Sequence, residues 1–455
     1  MTPTPAETSP EVAAWRSGAG RLLLQPWIDR LSLSLISHHY LPLSRAWAAA
    51  LESEGDLDAF CAATGGAVRA GAGLRRAIAA VRRAQDTYLA AEADWEAAYF
   101  GTGETSQARL SEAQSRRLAA AESLTLARRR FLGAHLKRRF PPVLWQIAGP
   151  AEAEARHRDR LQNPATAFPA FDAAEITESE SLRRGADVLF WLRFPAGQGD
   201  RAWARVARPA GVADPPTFIY LHGITIEAEM LRDSFDPTAP LLHQGVRVIR
   251  PEAPWHGRRR LLGYYGGEPL LGGGPLALLG FFRDWVAETA AWIAWARQSS
   301  RGPVAVGGIS LGALTGQLVL TAARDWPAQQ RPDAALLMAG SGDLMAMAYA
   351  GALPSALGLR PQLAAAGWDE AALAPWLALL EPQGRPVVPP ERILMLLGGA
   401  DEVAPLDSSL ALARAWGLPP ENVLLRPRQG HFTLDLGLLP DPGPLFALAR
   451  LLERL

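Results

Sequence analysis

The chain has 455 residues, 49% of them hydrophobic and 20% charged, with a formal net charge of zero. That length exceeds one compact domain of ordinary size, so a main domain with a substantial addition is expected. The balanced charge gives no reason to expect nucleic acid as a partner, and a single cysteine, Cys61, excludes an intrachain disulfide.

The start, residues 1–10, is polar and Pro-rich and lacks the basic and apolar runs of a signal peptide. Residues 1–150 read as a helical N-terminal extension. Within it, 44–63 follows a helical pattern, with Cys61 as a small core residue. Two Ala- and Arg-rich stretches, 69–99 and 105–139, flank the turn signal Gly101-Thr102-Gly103-Glu104. Ile78, Val81, Tyr88, Trp95 and Tyr99 recur at near-helical spacing in the first arm, and Leu118, Leu124, Leu126, Phe131 and Leu132 supply apolar positions in the second. A long helical hairpin is expected, its charged face solvated. A lid over the site or a homodimer arm are the sharper alternatives for it.

Beyond residue 180 the pattern changes to short apolar runs alternating with helical ones. Strands are expected at 187–194, 202–207, 217–221, 246–249, 304–306, 334–338, 393–397 and 423–425, and helices at 275–298, 313–323 and 445–452. Such alternation implies an α/β catalytic domain over 180–455, its largely parallel sheet covered on both faces. The most apolar stretch, 334–359, holds Asp343 and is broken by Gly and Pro, so it reads as a strand and a helix rather than a membrane span. Without a transmembrane segment, a cytoplasmic location is expected. Residues 353–390 interrupt the alternation with a Pro-rich, helical, cap-like insert carrying Trp368 and Trp376.

The chemistry centres on Val304-Ala-Val-Gly-Gly-Ile-Ser310-Leu-Gly312. A Gly-x-Ser-x-Gly between an apolar strand and an apolar helix puts a serine on a sharp turn, its Oγ clear of the sheet and a helix N-terminus behind it. A serine hydroxyl is inert near neutral pH without a base. His431, in Gln429-Gly430-His431-Phe432, is the only histidine after Ser310. Asp401 follows the apolar run Ile393-Leu-Met-Leu-Leu and is expected to orient that imidazole; Glu402 and Asp435 are weaker choices, and a capping role is the bland alternative for Asp401. The oxyanion would be held by the backbone N–H of Leu311 and that of Ile224, in Tyr220-Leu-His222-Gly223-Ile224-Thr225. His222 is expected to hold that loop by a ring hydrogen bond.

These motifs together resemble the α/β-hydrolase superfamily over about residues 180–455. The segment Arg250-Pro-Glu-Ala-Pro-Trp-His256-Gly-Arg258-Arg259-Arg260, with the helical N-terminal extension, resembles the α/β-hydrolase domain-containing protein 18 family and its bacterial relatives, which implies acyl esters as one substrate class. Thr225, His256 and Arg258 are open to two readings, substrate contact or loop fixing; Arg259 shares the second with a role at the pocket rim.

The reading is a serine hydrolase that cleaves small-molecule carboxylic esters, with an apolar acyl group, through an acyl-enzyme. An amidase, peptidase or thioesterase would use the same triad, and a non-catalytic interaction protein on this fold is the rival of another class. No metal-ligand spacing is present, and Gly266-Gly267 and Gly272-Gly273-Gly274 lack the context of a nucleotide site, so neither a metal nor a cofactor is expected.

Overall fold

The computed structural model describes residues 23–66, 71–171, 175–225 and 236–455, so the Pro-rich start at 1–10 lies outside the described residues. Ten strands form one sheet: β1 (Thr177–Glu178), β2 (Leu182–Arg184), β3 (Asp187–Pro195), β4 (Arg201–Pro209), β5 (Thr217–Leu221), β6 (Arg247–Pro251), β7 (Val304–Ile309), β8 (Ala334–Met338), β9 (Ile393–Gly398) and β10 (Val423–Arg426). Their order is β1-β3-β4-β6-β5-β7-β8-β9-β10, with β2 paired to β3 at one end. From β6 to β10 neighbouring strands are parallel. β1 to β4 join antiparallel. The two short strands β1 and β2 were not expected from the sequence; the eight longer ones were, to within a few residues.

β5, β7, β8 and β9 are buried along their whole length, which is why they read as unbroken apolar runs. Successive residues still face opposite ways. Ile219, Val306 and Leu337 pack on one face, with helices Gly274–Ser299 and Leu311–Ala322. Phe218, Ala305 and Leu336 pack on the other, with helices Ala239–His243 and Gly443–Leu452.

The antiparallel end has the same alternation and a different cover. Val188, Phe190, Leu192 and Phe194 of β3 enter the main core. Leu189 and Trp191, with Trp203 and Ala207 of β4, meet Trp95, Tyr99, Leu110 and Ala113. Those four come from the helical hairpin, Ala72–Phe100 and Gln107–Leu126. Trp95 is fully buried, and its ring meets Trp191 edge-on at 5.0 Å, a geometry worth about 0.5–1.5 kcal/mol beyond the area covered.

The hairpin departs from expectation in two ways. Its second arm is not one helix to residue 139: after Leu126 comes a 3₁₀ turn, Ala127–Phe131, then a separate helix, Leu132–Lys137. At that turn Arg128 folds inward, donating to Ser44 Oγ and Thr125 O and lying over Trp47. Nor is the charged face wholly solvated. Arg117 is buried over the Trp95 ring, and Glu92 pairs with Arg117 and Arg258. Burial would raise the Glu92 carboxyl, but those two guanidinium groups hold it at about 2.

The rest of the extension forms its own core. Leu41, Trp47, Phe60, Ile78, Val81 and Phe131 cluster there, and Tyr265 from the loop after β6 joins them. Arg45 and Glu268, neither exposed, pair at 2.8 Å across this seam.

Candidate active site

β7 ends at Ile309, and Ser310 occupies the N-cap of helix Leu311–Ala322 with φ 55° and ψ −115°. A non-glycine residue there carries about 1–3 kcal/mol of strain, which the surroundings must hold. They do so through Ser310 N–H, which donates to Met338 O of β8 at 2.9 Å. They do so also through close approach: a Cβ on Gly308 or Gly312 would stand 1.8 or 1.9 Å from Leu221 O. Only glycines let β5 press against both sides of the turn.

His431 opens the helix His431–Leu436 after β10, and Asp401 lies in the loop after β9. His431 Nε2 is 2.8 Å from Ser310 Oγ, and its Nδ1 is 2.9 Å from Asp401 Oδ2. The carboxylate has two tasks at once. Its Oδ1 accepts from the N–H groups of Val403 and Ala404 at 2.8 and 2.7 Å, so it is a turn cap as well as the imidazole's partner. Glu402, next to it, points to solvent and pairs with Arg30. All three members of the chain are more than nine-tenths buried.

The strand order, with the two outer strands set aside, runs 1-2-4-3-5-6-7-8, and the strained serine follows the fifth of these eight strands, the carboxylate the seventh and the imidazole the eighth. The fold is that of the α/β-hydrolases. The chain is similar in structure to a cold-adapted esterase from an Arctic intertidal metagenomic library, at 18% identity over 61% of this chain and 97% of the other, with TM-score 0.39. It is also similar to an acetyl xylan esterase from Paenibacillus sp. R4, at 12% identity over 70% and 98%, TM-score 0.47. An S-formylglutathione hydrolase from Agrobacterium tumefaciens gives 16% identity over 60% and 98%, TM-score 0.39. No protein-family model and no curated protein matches the chain, so the resemblance to α/β-hydrolase domain-containing protein 18 finds no support there.

The loop after β5 is held from behind by two neutral histidines. His222 Nδ1 donates to Gly223 O at 2.7 Å while its Nε2 accepts from Ala253 N–H at 3.1 Å. His256 Nδ1 donates to Pro254 O at 2.9 Å, and its Nε2 accepts from Thr225 N–H at 3.3 Å. Burial pushes His222 down to about 4 and His256 down to about 3, so both rings stay uncharged. Thr225 sits at φ 60°, its N–H already committed to His256. Ile224, just before it, lines the cavity in front of Ser310 and Leu311. Leu311 N–H, in the first turn of its helix, has no intrahelical acceptor.

Arg258 is not at the cavity. It donates to Glu92 of the hairpin at 2.6 Å and to Glu252, and stacks on Trp95 and Trp203. Arg259 forks onto Glu288 at 2.7 and 2.6 Å and reaches Asp200 at 2.8 Å. Both bind carboxylates that flank the loop after β6.

The cavity at Ser310, about 150 Å³, is walled almost wholly by aliphatic side chains. Leu353, Leu363, Leu373 and Leu377 come from the insert helices Ala352–Leu357, Leu359–Ala365 and Glu370–Leu379, and Pro275 and Phe282 from helix Gly274–Ser299. Ser310, His431 and Tyr349 are its only polar side chains among the described residues. Trp368 and Trp376 are not in the wall; they pack edge-on against each other inside the insert. The hairpin contributes no lining residue either. Among the described residues there is no cluster of His, Cys, Asp and Glu arranged to hold a metal, and no helix long and apolar enough to cross a membrane.

Proposed function

We propose that this protein is a serine hydrolase that cleaves carboxylic esters of apolar acids through an acyl-enzyme. The observation that carries this reading is the hydrogen-bonded chain from Ser310 Oγ through His431 to Asp401, set on a strained turn at the mouth of an aliphatic cavity. Ser310 Oγ attacks the ester carbonyl carbon as its proton passes to His431 Nε2. The N–H groups of Leu311 and Ile224 hold the oxyanion, and Asp401 stabilises the imidazolium without taking its proton. The C–O bond to the alcohol breaks as His431 returns the proton to the leaving oxygen. Water, deprotonated by the same ring, then attacks the acyl carbon and releases the acid and Ser310.

Labelling with a fluorophosphonate, followed by mass analysis of the modified peptide, tests this directly. The label is expected on Ser310 and nowhere else; a label on another residue, or none, would end the assignment. A cavity of this size accommodates a group about as large as benzene. In a p-nitrophenyl ester series, kcat/KM is therefore expected to peak at acyl chains of about four to six carbons. A series that falls steadily from acetate would remove the cavity as the acyl site.

The pH profile has a definite sign. Burial alone would push the His431 imidazole down, but the charges of Asp401, Asp29 and Asp435, with the Asp401 hydrogen bond, carry it above the ordinary histidine value. The ring must be neutral to accept the Ser310 proton. Activity is therefore lost as pH falls through this raised pKa, and the acid limb of kcat/KM is expected above about 6.5. A midpoint below that value would contradict the charge arrangement.

A further inference from the structure

Helix Pro26–Leu35 belongs to the N-terminal extension, yet its single carboxylate, Asp29, is built into the candidate site. Asp29 is buried. Its Oδ1 accepts from the N–H groups of Phe432 at 2.7 Å and Thr433 at 3.2 Å, and its Oδ2 accepts from Thr433 Oγ1 at 2.5 Å. These are the two residues directly after His431. The helix they begin has Gly430 at its N-cap, with no side chain to satisfy its first N–H groups. Asp29 supplies that acceptor from the far end of the chain. The fit is mutual: a Cβ on Gly430 would stand 2.6 Å from the Asp29 carboxyl carbon. Arg30, next along, reaches Glu402 at 3.1 Å, so one helix touches both loops that carry the partners of Ser310.

We propose that Asp29 is a positioning residue for His431. It fixes the backbone that carries the imidazole and so keeps Nε2 at Ser310 and Nδ1 at Asp401. This rests on the serine-hydrolase reading. Asp29 holds the two N–H groups directly after His431, and its negative charge adds to those that raise the imidazole, an effect that a neutral cap would lack. The charged groups facing that ring are Asp401 from the loop after β9, Asp435 from its own helix and Asp29 from the extension. Arg30 is turned to Glu402, while Arg250 and Asp236 act on Asp435, whose carboxyl burial pushes up to about 6. Removing the charge of Asp29 therefore lowers the His431 pKa and extends activity to lower pH.

The test compares the full chain with Asp29→Asn and Asp29→Ala by p-nitrophenyl butyrate kinetics across pH and by NMR titration of the His431 ring. Asp29→Asn keeps the shape and an acceptor oxygen. It is expected to retain most of kcat and to move both the acid limb and the ring titration to lower pH. Asp29→Ala is expected to lower kcat by about 10- to 100-fold with KM nearly unchanged, as a misplaced catalytic group does. Unchanged kcat in Asp29→Ala together with an unmoved titration in Asp29→Asn would overturn the proposal. If Asp29→Ala does not fold, Asp29→Asn decides alone, and an unmoved acid limb and ring titration overturn it. A wild-type chain that neither turns over esters nor takes the fluorophosphonate would fell the hydrolase reading instead, and the His431 titration in Asp29→Asn would still decide the role of Asp29.

Discussion

Replacing Ser310 with alanine is expected to lower kcat on a p-nitrophenyl ester by about a millionfold, leaving only what binding and the oxyanion donors supply. Without Oγ, His431 Nε2 has no proton to take at 2.8 Å and no acyl-enzyme forms. Asp401→Asn is expected to cost about ten-thousandfold. An amide there can still accept from Val403 and Ala404, but its NH₂ competes for the place where Nδ1–H needs an acceptor, and the imidazole turns to the wrong tautomer. The two losses should not multiply, because the residues act as one unit. The double variant should be no slower than Ser310→Ala within a few fold. Steady-state rates and the burst of p-nitrophenol measure all three. A Ser310→Ala protein keeping more than about a hundredth of wild-type kcat would exclude it as the nucleophile.

The largest loss of stability is expected at Arg259. Its guanidinium and the Glu288 carboxylate are both nearly inaccessible and doubly bonded. Burial raises the Glu288 carboxyl even with Arg259 beside it. Arg259→Met strands that carboxylate in an apolar helix flank, at a cost of about 3–5 kcal/mol. Asp200, the second partner, is more than one-third exposed and can turn to water. Arg259→Met with Glu288→Leu removes the stranded charge, and most of the loss should return. Urea midpoints with m-values give both numbers. A single variant costing under about 1 kcal/mol would show that the pair does not hold the loop after β6.

Much of the candidate site's arrangement was legible because it is built on local motifs. Gly308 and Gly312 had to be glycine for Leu221 O to approach the turn that carries Ser310. His431 was the only imidazole after the serine, and Asp401 ended an apolar strand. His222 shows both kinds of contact: its ring bond to Gly223 O is local, while the one from Ala253 N–H spans 31 residues. What stayed hidden is tertiary. Asp29 is one carboxylate in an ordinary helical pattern, and nothing near it in sequence says that its partners are Phe432 and Thr433. The sole hint was Gly430, a helix start without a capping side chain. The cavity wall is tertiary in the same way: leucines from three insert helices form it together with residues of helix Gly274–Ser299, while Trp368 and Trp376 pack against each other inside the insert. β1 and β2 are too short and too exposed to leave an apolar pattern.

The hairpin covers the antiparallel end of the sheet, so the sheet-bearing part depends on it for part of its cover. Excising the sheet-bearing part alone would bare Trp191 and Trp203 to water as one aromatic patch. It would also rob Arg258 of Glu92 and Glu268 of Arg45. Such a fragment is predisposed to self-association, because a contiguous apolar surface of this kind seeks cover from another copy when its own cover is gone.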